Sequence, residues 1–150
     1  MNKFEYILIS ISLISLMATM GCAGGSPNSA PTATELQLEA LKNSGKIWVL
    51  GNAAVTKDGF DVSSQFEGFT LKIGEFTYET TNSLASAWAS SGQWEFNDNN
   101  PNSILRDDGV VIGVVLNGSS LQLNFRVDVS NTGGKISSID GEYQFNLVSM

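Results

Sequence analysis

The chain contains no histidine and only one cysteine among its 150 residues. The absence of histidine excludes Ser-His-Asp and Cys-His catalysis and the usual imidazole ligands of metals. A single cysteine excludes a disulfide framework and a thiolate zinc site. Basic residues are also few, because 8 Lys and Arg stand against 15 Asp and Glu, a formal net charge of −7. Nucleic-acid binding needs a basic surface, so we predict a protein that is not an enzyme, uses no cofactor and binds no nucleic acid.

The first 21 residues have the pattern of a signal peptide. Lys3 lies in a short polar start, and an apolar stretch runs from Tyr6 to Met20, interrupted only by small hydroxyl residues. This stretch is shorter than the roughly 20 residues that a membrane-spanning helix needs. It ends immediately before Gly21 and Cys22. We therefore assign residues 1–21 to a cleaved leader.

The segment Thr19-Met20-Gly21-Cys22 resembles a bacterial lipobox, with Thr19 where that family prefers leucine. The resemblance implies that Cys22 is lipidated and anchors the protein to a membrane. Several acyl chains on one residue hold a soluble domain far longer than one chain does. Similarity to lipoproteins of diderm bacteria implies outer-membrane anchoring, because Ala23 rather than Asp follows the cysteine, and a periplasm-facing position, because no acidic run follows. The alternative is an ordinary secretory signal with an incidental cysteine.

A tether and one short helix follow the anchor. Residues 22–31 are small, polar and rich in Gly, Ser and Pro, which predicts a flexible spacer before a folded domain at 32–150. Thr32 and Glu35 match a capping box and predict a helix over about 34–43, with Gly45 as the left-handed residue after it. Leu38 and Leu41 lie on one face, which we expect to pack on the strands that follow.

Eight strands are predicted from alternating apolar and polar residues. The pattern is strongest where Leu121, Leu123 and Phe125 alternate with polar neighbours. A strand with one apolar and one solvent-exposed face is typical of antiparallel sheet. Short connections, including a hairpin at Asp108-Gly109, favour an eight-stranded up-and-down barrel over a two-sheet sandwich. Segment 57–68 is predicted to be a partly packed loop. Segment 82–90 is predicted to be a second loop, with Leu84 and Trp88 either exposed or folded over an opening. The predicted strands are 46–56, bulged at Gly51, then 69–74, 75–81, 91–97, 103–107, 110–117, 120–129 and 141–148.

The helix, the strand that begins Gly45-Lys46-Ile47-Trp48 and the meander after it resemble the lipocalin-like, or calycin, barrels. Stretches such as Ser91-Gly92-Gln93-Trp94-Glu95-Phe96 and Gly141-Glu142-Tyr143-Gln144-Phe145 resemble uncharacterised lipocalin-like lipoproteins of Bacteroidota. The resemblance covers about 46–149. It implies an all-β barrel with one short N-terminal helix and a cell-envelope address, and it implies no activity.

Aromatic side chains form the main candidate binding site. We predict that Trp48, Tyr78, Trp94 and Phe125 line a cavity for a small apolar ligand, and the alternative is that they fill the core of a narrow barrel. Two polar segments are weaker candidates. Residues 97–102 are rich in oxygen ligands but are typical of a polar hairpin, and Arg106-Asp107-Asp108-Gly109 is either a charged site at the barrel mouth or a turn with a local ion pair.

Two functions remain open. The first is a cell-envelope lipoprotein that binds a small apolar or amphipathic ligand inside a lipocalin-like barrel. The alternative is a non-catalytic interaction or scaffold lipoprotein with a filled barrel, which contacts envelope proteins or polysaccharide, with the 57–68 and 82–90 loops as the expected contact surface. The volume of the barrel interior separates the two. The sequence does not indicate the oligomeric state.

Overall fold

The computed structural model describes residues 29–128 and 139–150, and a compact unit spans Pro31–Met150. The predicted leader, Cys22 and most of the predicted tether lie outside the described residues, as does the end of the strand predicted at 120–129. Within the described part, α1 covers Ala33–Lys42 and nine strands follow. They are β1 (Trp48–Lys57), β2 (Phe60–Asp61), β3 (Thr70–Ile73), β4 (Thr77–Thr81), β5 (Ser91–Phe96), β6 (Ser103–Arg106), β7 (Val111–Asn117), β8 (Ser120–Val127) and β9 (Gly141–Ser149).

Eight of these strands close into an antiparallel barrel. Each strand from β3 to β9 pairs with the next, and β1 pairs with both β3 and β9. Trp48 marks the closure, because it lies opposite Leu71 of β3 and opposite Ser149 of β9. The predicted eight-stranded up-and-down barrel is therefore confirmed. The two-residue strand β2 extends β1 on the outside of this ring, and it was missed because two exposed residues carry no periodic pattern.

The predicted turns and the predicted bulge set the register of the barrel. Gly109 has a φ of +85° in the tight turn between β6 and β7, a conformation that glycine adopts without steric cost. In β1 the pairing with β9 shifts between Leu50 and Val55, as the Gly51 pattern predicts. Ala53 has a φ of +47° inside this bulge. A bulge bends a strand and increases its twist, and here it separates the part of β1 that pairs with β3 from the part that pairs with β2.

Helix α1 lies against one end of the barrel. Thr32 and Glu35 form the predicted capping box, in which the Thr32 hydroxyl accepts from the Glu35 amide and the Glu35 carboxylate accepts from the Thr32 amide. The helix ends at Asn43, which is left-handed before Gly45 is reached. Leu41 is fully buried, and its carbonyl accepts a hydrogen bond of 2.9 Å from Trp48 Nε1. This contact fixes the helix to the start of β1.

The long connections at the other end turn their aromatic residues inward. In the predicted loop 57–68, a short 3-10 turn at Ser63–Phe66 buries Phe66 completely. In the loop 82–90, Trp88 is 2% exposed and Leu84 packs on the core. The large exposed residue of these loops is Phe60. Phe66 and Trp88 therefore close this end of the barrel from inside, and the contact surface predicted for the two loops stays a prediction.

Candidate functional site

The four aromatic residues predicted to bind a ligand all lie on the inner face of the barrel. Trp48, Tyr78, Trp94 and Phe125 are each at most 5% exposed. The indole of Trp94 donates a hydrogen bond to the Thr77 carbonyl, and the ring of Phe125 stacks on Tyr143 with 5.6 Å between centroids. The alternating pattern of the strands identified these positions correctly as inward. Their rings contact other residues of the protein, and the indoles of Trp48 and Trp94 both donate to backbone carbonyls.

Trp88 occupies the middle of this aromatic core, although it belongs to a loop. Its ring lies edge-on to Phe125 at 5.0 Å and to Phe145 at 5.7 Å, and it also contacts Tyr78 and Phe69. The sequence left open whether Trp88 is exposed or folded over an opening, and the structure places it inside. Residues of loops lack periodicity, so no sequence pattern indicates whether the Trp88 side chain faces the core or the solvent.

The interior that remains is very small. A space of about 10 Å³ is left between inward residues that include Leu41, Trp88 and Leu123. One water molecule needs roughly that volume, whereas small-molecule sites occupy about 300–1,000 Å³. In the described part of the chain, the barrel is therefore filled by its own side chains.

Arg106 is a charged residue inside this core. Its side chain is buried, and its guanidinium carbon lies 4.9 Å from the centre of the Trp88 ring, with Tyr78 and Phe125 at about 6 Å. Nε and Nη2 both donate to the carboxylate of Asp108, which lies partly exposed in the β6–β7 turn. A buried guanidinium needs such a partner because unpaired burial of charge is costly. The segment is thus a turn with a local ion pair, and the pair also covers one face of the Trp88 ring.

The ion pair makes stability depend on pH. Burial by itself raises the pKa of Asp108, but hydrogen bonds and the charge of Arg106 outweigh it and lower the pKa below its ordinary value of 3.8. A lowered carboxyl pKa stabilises the fold above that ordinary value, and the contribution is lost as the pH falls through the folded value.

We expect Asp108→Asn to lower the free energy of unfolding by about 1–3 kcal/mol at pH 7. Because the variant has no carboxyl to protonate at this position, its further loss of stability on acidification should be smaller than that of the wild type. Urea unfolding at a series of pH values, with Asp98→Asn on an exposed turn as control, measures this, and an unchanged acid profile in Asp108→Asn would contradict it.

Tyr78 carries a buried hydroxyl that accepts and donates no hydrogen bond among the described residues. Gly92 lies directly opposite on β5, and a Cβ there would approach the hydroxyl oxygen to 2.6 Å, so glycine makes room for the ring. Burial raises the pKa of Tyr78, with Arg106 opposing the rise and Asp107 and Asp108 adding to it. The hydroxyl is therefore neutral at physiological pH and costs desolvation without a compensating bond.

Removing this hydroxyl should not destabilise the protein. We expect Tyr78→Phe to change the free energy of unfolding by about 0 to +1 kcal/mol, toward greater stability, because an unpaired polar group leaves the core. The matched control is Tyr143→Phe, which loses a hydrogen bond of 2.9 Å to the Ile139 carbonyl and should cost about 1 kcal/mol. Thermal and urea unfolding of both variants measure the difference. A larger loss in Tyr78→Phe than in Tyr143→Phe would show that the hydroxyl has a partner.

The polar loop at residues 97–102 forms local bonds. Asn97–Asn99 make a 3-10 turn, and the side chain of Asn100 accepts from the backbone N–H of Asn102. This is the polar hairpin expected from the composition. Across the described ranges, no group of three or more Cys, Asp or Glu side chains is placed to hold a metal ion. No helix in those ranges has the length and apolar character needed to cross a membrane.

The outer surface of the barrel divides into a charged part and an uncharged part. On β3 and β4, Lys72 lies directly opposite Glu79 with both side chains exposed. The middle of β8 and β9 instead carries outward carboxamides, with Gln122 opposite Asn146 and Asn124 opposite Gln144, before the charged pair Arg126 and Glu142. The structure places these four carboxamides together, and the sequence interpretation treated them only as the wet face of two strands.

Comparison with known protein families, with curated proteins and with solved structures finds no match to this chain.

Proposed function

We propose that this chain is a non-catalytic cell-envelope lipoprotein whose filled barrel contacts another envelope component, a protein or a polysaccharide, through its outer surface. The observation that carries the proposal is the volume of the interior, about 10 Å³. Because a barrel with that interior has no space for a ligand, a partner would contact its outer surface. The competing function, a lipocalin-like carrier of a small apolar ligand, needs a cavity at least about thirty times larger.

The proposed location in the cell envelope rests on the resemblance of residues 19–22 to a lipobox. Thr19-Met20-Gly21-Cys22 after an apolar leader supports lipid attachment at Cys22, and the small polar residues 22–31 support a tether between lipid and barrel. Ala23 and the lack of an acidic run after it support a periplasm-facing position on the outer membrane. In this arrangement the anchor keeps the barrel close to envelope partners, so even weak contacts are occupied because the effective concentration is high.

Native mass spectrometry of the lipoprotein extracted from its own membranes tests the proposal. We expect the mass of the processed chain plus its acyl groups, with no further small molecule bound in stoichiometric amount. The same result is expected for material purified in two detergents of different size, which controls for detergent trapped in the barrel. A reproducible extra mass of a few hundred daltons that is released on unfolding would overturn the proposal in favour of the ligand carrier.

A further inference from the structure

The amide face of the barrel is the patch formed by Gln122, Asn124, Gln144 and Asn146 with Val115 and Val148 beside them. The pairing register puts Gln122 between Val115 on β7 and Asn146 on β9. Gln144 Nε2 donates to Asn146 Oδ1 at 3.3 Å. Apart from that bond, the four carboxamides form no hydrogen bond within the described residues, so most of their donors and acceptors point to solvent. Val115 and Val148 are exposed beside them.

The absence of charge distinguishes this face. The chain carries 15 acidic and 8 basic residues, yet none of the six side chains that form the patch is charged. The nearest cation on the outer face of β8 is Arg126, and it is already paired with Asp128 at 3.0 Å and with Glu142 at 3.7 Å. Among the described residues, the patch offers an anionic ligand no unpaired cation, and a chain of net charge −7 repels anions. The face therefore suits a neutral partner.

A shallow groove lies on the half of the amide face that carries Gln122 and Asn146, and Asn124 and Gln144 lie outside its walls. It has a volume of about 370 Å³, and its walls include Gly51, Val115, Gln122, Asn146 and Val148. Gly51 forms part of the floor, and a Cβ at that position would meet the Asn146 carbonyl oxygen at 3.3 Å. The bulge in β1 and this glycine keep the groove open beside the carboxamides. The groove is open to solvent rather than closed around a compact molecule, so a polymer can bind in it from outside without its ends being enclosed.

The size of the face argues against a stable protein partner. From a strand spacing of about 4.8 Å and a rise of about 3.4 Å per residue, the face measures roughly 15 by 20 Å, or roughly 300 Å². A standard protein interface buries about 800 Å² on each partner. Strand addition is also unavailable at this face, because β7, β8 and β9 are paired on both sides. A polymer that lies along the groove needs neither a larger area nor a free edge.

We propose that the amide face binds a neutral polysaccharide. Each carboxamide offers two N–H donors and an acceptor oxygen, and sugar hydroxyls both donate and accept, so the two patterns complement each other without any charge. The methyl groups of Val115 and Val148 supply an apolar surface for sugar C–H groups. The inference rests on the proposed function and deepens it, because it names the surface and the class of envelope component that the lipoprotein contacts.

Affinity electrophoresis of the full lipoprotein in neutral detergent tests the inference. Native gels contain a neutral glucan, a neutral mannan or, for comparison, an acidic polygalacturonate, and each mobility is referred to a gel without polymer. We expect retardation by at least one neutral polymer and none by the acidic one. The double variant Gln122→Ala/Asn146→Ala should bind about tenfold more weakly, because two hydrogen bonds are lost. The matched control Gln65→Ala/Gln93→Ala removes exposed amides elsewhere and should bind normally.

A second variant keeps the test independent of folding. Gln122→Glu is isosteric and places one carboxylate in the groove wall, between Val115 and Asn146, so we expect weaker retardation. Gln93→Glu on the outer face of β5 should have no effect. Thermal unfolding of all variants shows whether each barrel is intact. Equal retardation of the wild type and the intact face variants would overturn the assignment to this face. No retardation by any neutral polymer would overturn the ligand class, while the native mass test of the filled barrel would still stand.

Discussion

Replacing Trp88 by alanine should lower the free energy of unfolding by about 3–5 kcal/mol. Trp88 is 2% exposed and touches the rings of Phe125 and Phe145, while the guanidinium of Arg106 lies over it at 4.9 Å. Alanine would leave a cavity in the middle of the barrel and would uncover the buried charge of Arg106. Urea unfolding followed by far-UV circular dichroism measures the change, because the signal does not depend on the tryptophan that is removed.

The matched control for Trp88→Ala is Phe60→Ala. Both residues are aromatic and both lie in the connections at the same end of the barrel, but Phe60 is 77% exposed. Truncation of an exposed side chain usually changes stability by less than about 0.5 kcal/mol. If both variants lose the same small amount, Trp88 does not fill the interior, and the loop 82–90 is a mobile cover over an open barrel.

Replacing Cys22 by alanine should remove the protein from the membrane. The predicted lipid is the only anchor that the proposal provides, and the apolar stretch before it is shorter than the roughly 20 residues that span a bilayer. We expect the ratio of membrane-bound to soluble protein to fall by about tenfold or more. Cell fractionation with a high-salt wash measures the ratio, and metabolic labelling with an alkyne fatty acid detects the lipid itself.

The control for Cys22→Ala is Ser26→Ala, which changes the tether and leaves the cysteine. Ser26→Ala should stay in the membrane and should carry the fatty-acid label. Cys22→Ala that keeps the membrane fraction of the wild type, and a wild type without label, would together show that residues 19–22 are not a lipobox. The filled-barrel part of the proposal would be unaffected, because it depends on residues of the folded domain.

The barrel could be predicted because each strand alternates between an apolar face and a solvent-exposed polar face. Leu121, Leu123 and Phe125 alternate with polar residues on β8, and all three are buried. The capping box at Thr32 and the glycine turn at Gly109 were equally local, so each could be predicted from a few residues. The strand boundaries shifted by one or two residues, because ladder hydrogen bonds and not hydrophobicity decide where a strand ends.

The filling of the barrel was not predictable in the same way. Whether aromatic residues line a cavity or occupy it depends on side chains that arrive from loops, and Phe66 and Trp88 arrive from segments without periodicity. Arg106 lies on the inner face of β6 and is paired with Asp108. The sequence around it indicated a local ion pair but not that the arginine is buried. The amide face also required the register of β8 against β9, because residues 122 and 146 become neighbours only through that pairing.

Titration with an uncharged fluorescent probe of apolar cavities, N-phenyl-1-naphthylamine, tests the filled barrel most directly. The experiment compares the wild-type protein with Trp88→Ala below the unfolding transition of the variant. Acyl chains and detergent are removed from both proteins, because the probe also fluoresces in them. We predict no saturable rise in fluorescence for either protein, since about 10 Å³ of space excludes the probe from the wild type and the probe is larger than the indole that Trp88→Ala removes. Free indole fits the space opened in Trp88→Ala, so it should raise the unfolding temperature of that variant and leave that of the wild type unchanged. Saturable binding of one probe per wild-type chain would contradict the account and would restore a ligand carrier with an open barrel.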